Sequence, residues 1–363
     1  MKNVLEIFTF QGGYKGGVAT MIDAYMKGVD EFARNNYKLT HLNVAPTICT
    51  GNSKIDNIVY IYTQRKAVRQ YLKEHKFDVV HIHTSREYLF LKDVLLAKLI
   101  SRKYKTPVVM TIHVGSIHTV YNRISWFKKR SIKLLNNCVS KVIFLSKTMC
   151  NDFIQEGLNE KRSTVLYNFH NFERTITDEC TPHEQLRLLY VGAIHREKGI
   201  IELLVALSEM PELDYHLNIC GKLTDESIKD EIEKYSKELG DKVSFLGYVS
   251  GSAKMELFKS SDLLILPSYH EGLPLVIMEA LGAGCAIMAT PVGSIPEILQ
   301  DDNCLWVDVA SVQSIKGQLT ALTVDKLQQM RKANDALGLS FTFETHVKEL
   351  AKIYCNTIIT NHK

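Results

Sequence analysis

The chain has 363 residues, of which 45% are hydrophobic and 23% are charged, and it contains no low-complexity tract. This composition is typical of a globular protein with two domains, and it excludes a disordered chain. The net charge of +4 conceals an asymmetry, because residues 1–170 carry a net charge of +14 and the remainder carries −10. We therefore expect the first half to face a polyanion or an anionic membrane.

The opening residues do not resemble a signal peptide, because the short apolar run ends at Gln11 without a cleavage site of small residues. No apolar stretch approaches the 18 residues that a membrane span needs. The 8 cysteines are scattered, and none forms a Cys-x-x-Cys pair. These features predict buried thiols and a cytoplasmic protein.

Strands and helices are predicted to alternate along the first half. The first strand leads into a turn that contains Gly16 and Gly17, followed by a helix that reaches Val29. Glycines let the backbone approach a ligand closely, although this turn matches neither a Gly-x-Gly-x-x-Gly fingerprint nor a phosphate-binding loop. Buried strands are predicted from apolar, β-branched runs at residues 4–10, 78–84, 107–113, 141–146 and 163–169.

Histidines occur near the ends of two of these strands. Ligands of such sheets sit beyond the carboxyl ends of the strands, which makes His113 a candidate site residue. A strand-end histidine is nevertheless more often structural, and that interpretation is favoured for His81 and His83.

Residues 120–141 combine six basic residues with three aromatic ones: Arg123, Lys128, Lys129, Arg130, Lys133, Lys141, Tyr121, Trp126 and Phe127. A basic amphipathic helix of this kind suits an anionic membrane surface, and the basic first half favours that interpretation. The alternative is a solvated basic helix with a buried apolar stripe. No DNA- or RNA-binding signature accompanies the segment, so we expect no nucleic acid partner.

A polar stretch at 171–184 is interpreted as a linker, after which a second series of strands and helices begins. Its predicted strands lie at residues 186–192, 215–221, 242–247, 262–268 and 285–290. Two successive series predict two Rossmann-like, doubly wound α/β domains, one at 1–170 and the other at 185–340. The terminal helix, within 341–363, is expected to pack back on the first domain.

The first strand of the second domain ends in VGAIHREKGIIELL, where basic residues precede an apolar helix. Arg196 and Lys198 occupy positions from which cations could neutralise a diphosphate leaving group. A solvated basic loop would have the same sequence pattern, so the segment alone does not decide between the two interpretations.

A later strand leads into SYHEGLPLVIMEALGAG, with Glu271 in the loop and Glu279 inside the following helix. Pro274 fits the first turn of that helix, whose free backbone N–H groups suit a diphosphate. The two carboxylates are spaced to accept hydrogen bonds from two parts of one ligand, for example two sets of sugar hydroxyls. An acidic surface helix is the alternative.

The string EGLPLVIMEALGAGCAIMATPVGSIPEIL resembles the Glu-x7-Glu region of family 4 of the retaining glycosyltransferases, which have the GT-B fold. The resemblance extends to Gly192, Lys198 and Gly199, and to the Gly16-Gly17 pair. It implies a donor site for a UDP- or GDP-sugar in the second domain, with Glu271 on the sugar and Glu279 on the ribose. The predicted donor-binding residues are Gly16, Gly17, Arg196, Lys198, Gly272, Leu273, Pro274, Leu275 and Glu279.

The resemblance also implies that His113 lies beside the transferred sugar and that Asn168 lines a cleft between the two domains. His113 and Glu271 are thus the predicted catalytic residues. Ala193 departs from the family, which usually has an arginine there, so Arg196 is expected to take over that phosphate contact. No Asp-x-Asp motif occurs, and we expect neither a metal ion nor another cofactor.

The sequence therefore predicts a retaining glycosyltransferase that uses a nucleoside-diphosphate sugar and a glycan or lipid-linked acceptor. The basic first half further predicts a role in bacterial surface polysaccharide assembly, at the inner face of the membrane. Two alternatives remain at this point. One is a non-catalytic nucleotide-sugar-binding protein of the same fold, and the other is a dinucleotide oxidoreductase, which the missing glycine fingerprint disfavours.

Overall fold

The computed structural model describes residues 1–8, 17–44, 53–84, 87–113, 125–172 and 185–361. The chain divides into two compact units, the first formed by Met1–Tyr167 with Phe343–Lys363 and the second by Asn168–Thr342. The last helix thus belongs to the first unit, while most of the proposed linker lies outside the described residues. In the described part of the chain, no helix is both long enough and apolar enough to span a membrane.

The first unit contains a parallel sheet with the strand order β2-β1-β3-β4-β5-β6. Its strands are β1 (Lys2–Phe8), β2 (Tyr37–Asn43), β3 (Val79–Thr84), β4 (Val108–Ile112), β5 (Lys141–Phe144) and β6 (Ser163–Val165). The order reverses at β1, so the sheet has a switch point between the ends of β1 and β3.

Helices connect these strands, as parallel pairing requires. They are α1 (Gly17–Lys27), α2 (Val29–Arg34), α3 (Ser53–Glu74), α4 (Glu87–Leu99), α5 (Ser125–Cys138) and α6 (Lys147–Gln155). Short apolar strands such as β3 and β4 are completely buried and form the centre of one hydrophobic core.

The second unit contains a parallel sheet with the order β12-β11-β10-β7-β8-β9. Its strands are β7 (Leu186–Val191), β8 (Tyr215–Cys220), β9 (Val243–Gly247), β10 (Leu263–Leu266), β11 (Ala286–Ala289) and β12 (Cys304–Trp306). Read from β9, this is the Rossmann order, with its switch point between β7 and β10. The prediction of two doubly wound α/β domains is confirmed.

The helices of the second unit surround a separate hydrophobic core. They are α7 (Ile200–Ser208), α8 (Lys229–Leu239), α9 (Gly251–Ser260), α10 (Leu275–Gly282), α11 (Val312–Ala321) and α12 (Val324–Gly338). The chain ends with α13 (Phe343–Asn361), which packs on α2 and β3 of the first unit.

The sequence prediction was incomplete at the edges of both sheets. It missed β2 and β12, and it extended β6 to residue 169 although the strand ends at Val165. The expectation of buried thiols holds for Cys138, Cys150, Cys220, Cys285 and Cys304 but is wrong for Cys355, which is exposed.

Candidate functional site

The two segments singled out in the second half of the sequence meet at the switch point of the second sheet. β7 and β10 are neighbouring parallel strands. The loop after β7 carries Lys198, and the loop after β10 carries Ser268 and Glu271. Because both loops follow carboxyl ends of adjacent strands, they lie where open α/β sheets bind ligands.

A glycine with a left-handed backbone brings these two loops into contact. Gly199 has φ +68°, and a Cβ atom there would lie 2.0 Å from the carbonyl oxygen of Pro267. Only glycine tolerates both this conformation and this approach. The contact places Lys198, just before Gly199, beside the loop that follows β10.

Glu271 is held from two sides by side chains of these loops. Lys198 Nζ donates a hydrogen bond to Glu271 Oε1 at 2.7 Å, and Ser268 Oγ donates to the same oxygen at 2.7 Å. Ser268 is completely buried, and its carbonyl oxygen accepts a hydrogen bond from Thr290 Oγ1. The Glu271 carboxylate is therefore fixed in orientation before any ligand binds.

The backbone around Glu271 is fixed by a second close approach. Gly293 has φ +59°, and a Cβ atom there would lie 2.0 Å from the carbonyl oxygen of Glu271. The neighbouring Ser294 N–H donates to the carbonyl oxygen of Gly272 at 2.9 Å. Gly293 and Ser294 thus hold the backbone of the Glu271 loop in place. This contact explains why the family resemblance continues past Glu279 to Gly293.

Helix α10 begins at Leu275, directly after Pro274, which has an extended backbone and makes no side-chain cap. Asn168 Nδ2 donates to the carbonyl oxygen of Leu273 at 3.1 Å and so braces the segment that enters the helix. The predicted loop residues Gly272, Leu273, Pro274 and Leu275 therefore all lie at this helix N-terminus, which favours anionic groups.

Glu279 lies inside α10 and is only 6% exposed. Lys254 of α9 donates a hydrogen bond to Glu279 Oε1 at 2.7 Å and lies 2.6 Å from Oε2. Burial raises the pKa of Glu279, whereas the Lys254 ammonium group lowers it. The net shift of the Glu279 pKa is upward, so the ammonium group offsets part of the effect of burial. The sequence analysis missed Lys254.

Arg196, the proposed substitute for the missing family arginine, is engaged elsewhere. Its guanidinium forms an ion pair with Glu231 of α8, and its backbone N–H donates to Asp225 at 3.3 Å. The Glu231 hydrogen bond raises the pKa of Arg196. Of the two predicted cations, Lys198 contacts Glu271, whereas Arg196 contacts Glu231.

The first unit contains the other predicted site residues. His113 directly follows β4, and its Nε2 lies 3.2 Å from His83 Nδ1. Burial lowers the pKa of His113 well below its usual range. Gly17 begins α1, whereas Gly16 lies outside the described residues.

The described part of the basic segment fits a solvated helix. Within α5, Ile132 and Leu135 are buried in the core, while Lys129, Arg130 and Lys133 are exposed. Lys141 belongs to β5 and donates to the carbonyl oxygen of Lys161 at 3.0 Å. Ile132 and Leu135 of α5 therefore face protein, while residues 120–124 and the side chains of Trp126, Phe127 and Lys128 lie outside the described part of the chain.

Comparisons with known proteins agree with this architecture. Residues 30–174 match the family Glycosyltransferase Family 4, and residues 172–336 match Glycosyl transferases group 1. A solved structure of Anabaena HepE with UDP-glucose superposes with a TM-score of 0.71 at 16% identity, covering 98% of this chain and all of the other.

Two curated relatives align with large parts of the chain. A 41.2 kDa protein in the cps region of Klebsiella pneumoniae is 28% identical over 63% of this chain. The aligned region covers 64% of the length of that relative. An alpha-1,4-N-acetyl-D-galactosaminyltransferase of Campylobacter jejuni, named for a glycan on diNAcBac-PP-undecaprenol, is 25% identical over 78% of this chain and 76% of its own length.

The two family matches follow each other along the chain, and each covers most of one parallel-sheet unit. Together with the shared architecture, they show that the chain has the GT-B fold and that each of its two units is similar to a family of glycosyltransferases.

Proposed function

We propose that the protein transfers a sugar, with retention of configuration, from a nucleoside-diphosphate sugar to a glycan or lipid-linked acceptor in bacterial surface polysaccharide assembly. The observation that carries the donor assignment is the pair of lysine-held carboxylates, Lys198–Glu271 and Lys254–Glu279, on either side of the N-terminus of α10. Support for the two substrate classes comes from a similar fold that binds UDP-glucose and a relative that is named for a lipid-linked glycan.

In this proposal each carboxylate binds one hydroxyl-bearing part of the donor. Glu279 accepts hydrogen bonds from the ribose hydroxyls, and Glu271 accepts them from the transferred sugar. Ionised carboxylates with fixed orientation are strong acceptors, worth about 1.5–3 kcal/mol for each such bond. Neither group is proposed as a covalent nucleophile, and a same-face displacement is the mechanism that we propose for retention.

The diphosphate lies between these groups in the proposed arrangement. Lys198 and the backbone N–H groups of Gly272, Leu273 and Leu275 supply positive charge there as the leaving group departs, without a metal ion. Arg196 joins them only by leaving Glu231, because its guanidinium is already paired. From the first unit, we propose that His113 contacts the transferred sugar and that the Gly16-Gly17 turn approaches the donor.

The test of the donor assignment is a thermal-shift panel of UDP- and GDP-sugars on the wild type and on Glu279→Gln. A bound donor raises the melting temperature of the native state. We expect one donor class to do so, and we expect Glu279→Gln to weaken its affinity about tenfold or more, since a charged acceptor is lost. Glu256→Gln, an exposed change on α9, is the matched control.

Unchanged donor affinity in Glu279→Gln would contradict the ribose assignment. A protein that binds the donor but neither hydrolyses it nor transfers its sugar to any lipid acceptor would instead be a non-catalytic binding protein of this fold. Ala193 and the engaged Arg196 are the features that favour that second candidate.

We further propose that the first unit associates with the inner, anionic face of a membrane through the exposed basic residues of α5. Each such residue contributes about 1 kcal/mol near an anionic surface, so Lys129→Gln with Lys133→Gln should weaken liposome binding about tenfold or more. Flotation at low salt measures this, and Lys229→Gln with Lys237→Gln, exposed residues of α8, is the control. Equal flotation of both double variants would contradict the proposal.

A further inference from the structure

A cluster of buried imidazole and carboxyl groups lies at the switch point of the first sheet. Glu6 of β1 and His81 of β3 are register partners, and His83 lies two residues further along the same face of β3. Their exposed fractions are 1%, 0% and 4%. The three side chains come from adjacent strands and are fixed on both sides by the core.

Three of their atoms face one another across a short gap. Glu6 Oε1 lies 3.9 Å from His81 Nδ1 and 3.9 Å from His83 Nε2, and all three atoms are within 4.8 Å of each other. Among the described residues, neither Glu6 Oε1 nor His83 Nε2 has a hydrogen-bond partner. A buried carboxylate oxygen and a buried ring nitrogen without partners are costly, so the gap calls for an occupant.

The outer atom of each of these three side chains lies close to a polar atom of a neighbour. Glu6 Oε2 lies 2.9 Å from His41 Nδ1, and His81 Nε2 lies 2.7 Å from Thr111 Oγ1. The outer nitrogen of His83 contacts His113 as described above. Metal-binding histidines nearly always have their second nitrogen engaged in this way, which fixes the ring and its tautomer.

We propose that Glu6, His81 and His83 bind a divalent transition-metal ion, with zinc as the best match to two imidazoles and one carboxylate. Metal–ligand bonds are about 2.0–2.2 Å long, which places tetrahedral ligand atoms about 3.4 Å apart. The two distances from Glu6 Oε1 therefore need to shorten by about half an ångström each, and the two ring nitrogens lie within 4.8 Å of each other. Magnesium and calcium, which prefer oxygen ligands, do not fit this donor set.

A fourth ligand is available next to His81. The hydroxyl group of Tyr354, on α13, lies 2.7 Å from His81 Nδ1. This hydroxyl gives up its bond to the ring when the metal binds and either becomes the fourth ligand or yields to water. The site thus ties the terminal helix to the ends of β1 and β3.

Metal binding also fixes the proton on His113. With the metal on His83 Nε2, the remaining proton of that ring is on Nδ1 and is donated to His113 Nε2, so His113 carries its own proton on Nδ1. This consequence rests on the proposed function, in which His113 contacts the sugar, but the metal site itself does not.

The test is direct metal binding by the full-length protein. After dialysis against a chelator, titration with Co²⁺ should give the intense visible absorption of a tetrahedral ion at one equivalent per chain, and Zn²⁺ should displace it. The melting temperature should rise with Zn²⁺ and not with Mg²⁺. A folded wild-type protein that binds no stoichiometric Co²⁺ or Zn²⁺ would overturn the proposal, whether or not it binds a nucleotide sugar.

The variants His83→Gln and Glu6→Gln should lose the Co²⁺ spectrum, while His75→Gln, an exposed histidine of the same unit, should keep it. Full stoichiometry in a folded His83→Gln protein would also overturn the proposal. Where a cluster variant fails to fold, the wild-type titration alone decides.

Discussion

Lys254 is the side chain on which the ionised state of Glu279 depends. Burial raises the pKa of this carboxyl group, and the Lys254 ammonium group is the described partner that opposes the rise. A neutral carboxyl group is a weaker acceptor for sugar hydroxyls than a carboxylate. We infer that Lys254 acts on the donor through Glu279, as a positioning residue.

The variant Lys254→Met should therefore weaken donor binding in a pH-dependent way. Without the cation, the pKa of Glu279 rises further, so the fraction of ionised carboxylate falls as the pH falls. We expect about a tenfold loss of affinity at pH 8 and a larger loss at pH 6, measured by calorimetry with the donor that binds the wild type. Lys259→Met, on the same helix, is the control.

A loss that is the same at both pH values would contradict this mechanism, because it would show that Lys254 contributes only packing or a direct contact. The wild type should show a smaller change in affinity over this range than Lys254→Met, since its Glu279 keeps the ammonium partner.

Residue by residue, the sequence located both members of the Lys198–Glu271 ion pair but only the glutamate of the Lys254–Glu279 pair. Glu271 and Glu279 were found through their spacing and the resemblance, and Lys198 through its place after a strand. Lys254 was missed because α9 is an ordinary amphipathic helix, 25 residues before Glu279, and only the fold brings the two together. The assignment of Arg196 overlooked Glu231, which lies 35 residues further along the chain and outside any recognisable motif.

Among the structural elements, the loop before α10 depends on backbone contacts as much as on side chains. Gly293 presses on the carbonyl oxygen of Glu271 with a left-handed backbone, whereas Gly247 has a similar φ of +64° but nothing within 4 Å of its missing Cβ. Substituting alanine at Gly247 therefore measures the cost of the left-handed conformation alone. The same substitution at Gly293 adds the cost of the clash with the carbonyl oxygen of Glu271.

Gly247→Ala should lower the free energy of unfolding by about 1–2 kcal/mol, the cost of a left-handed residue with a Cβ atom. Gly293→Ala should lower it more, because the Glu271 loop must also move, and it should reduce donor affinity. Chemical denaturation and donor titration measure both effects. Equal destabilisation by the two changes, with equal donor affinity, would show that the close approach has no role in holding the loop.

The strands show where sequence patterns are sufficient. Central strands such as β3 and β4 are short apolar runs, and their predicted ends differ from the observed ones by at most one residue. The missed strands β2 and β12 are edge strands. β2 has the polar sequence YKLTHLN and β12 has three residues, so neither shows the continuous apolar run of a strand buried on both faces.

At the scale of the whole molecule, each unit has its own hydrophobic core, and the last helix of the chain belongs to the first unit. Leu350 of α13 is fully buried in the first unit, and Leu204 of α7 is fully buried in the second. Because the proposed donor contacts of Glu271, Glu279 and Lys198 all belong to the second unit, a donor should act mainly on the stability of that unit.

Leu350→Ala and Leu204→Ala should therefore behave differently in the presence of a donor. Each removes a buried leucine side chain, at a cost of about 2–5 kcal/mol to the unit that contains it. For Leu350→Ala we expect calorimetry to show two unfolding transitions. The melting temperature of the first unit is lowered and the donor does not restore it, while the donor still raises the melting temperature of the second unit. In Leu204→Ala the donor-sensitive transition itself should fall. If the donor raises the lowered transition of Leu350→Ala as strongly as that of Leu204→Ala, the two cores unfold as one cooperative unit, because binding energy in one is then shared by both.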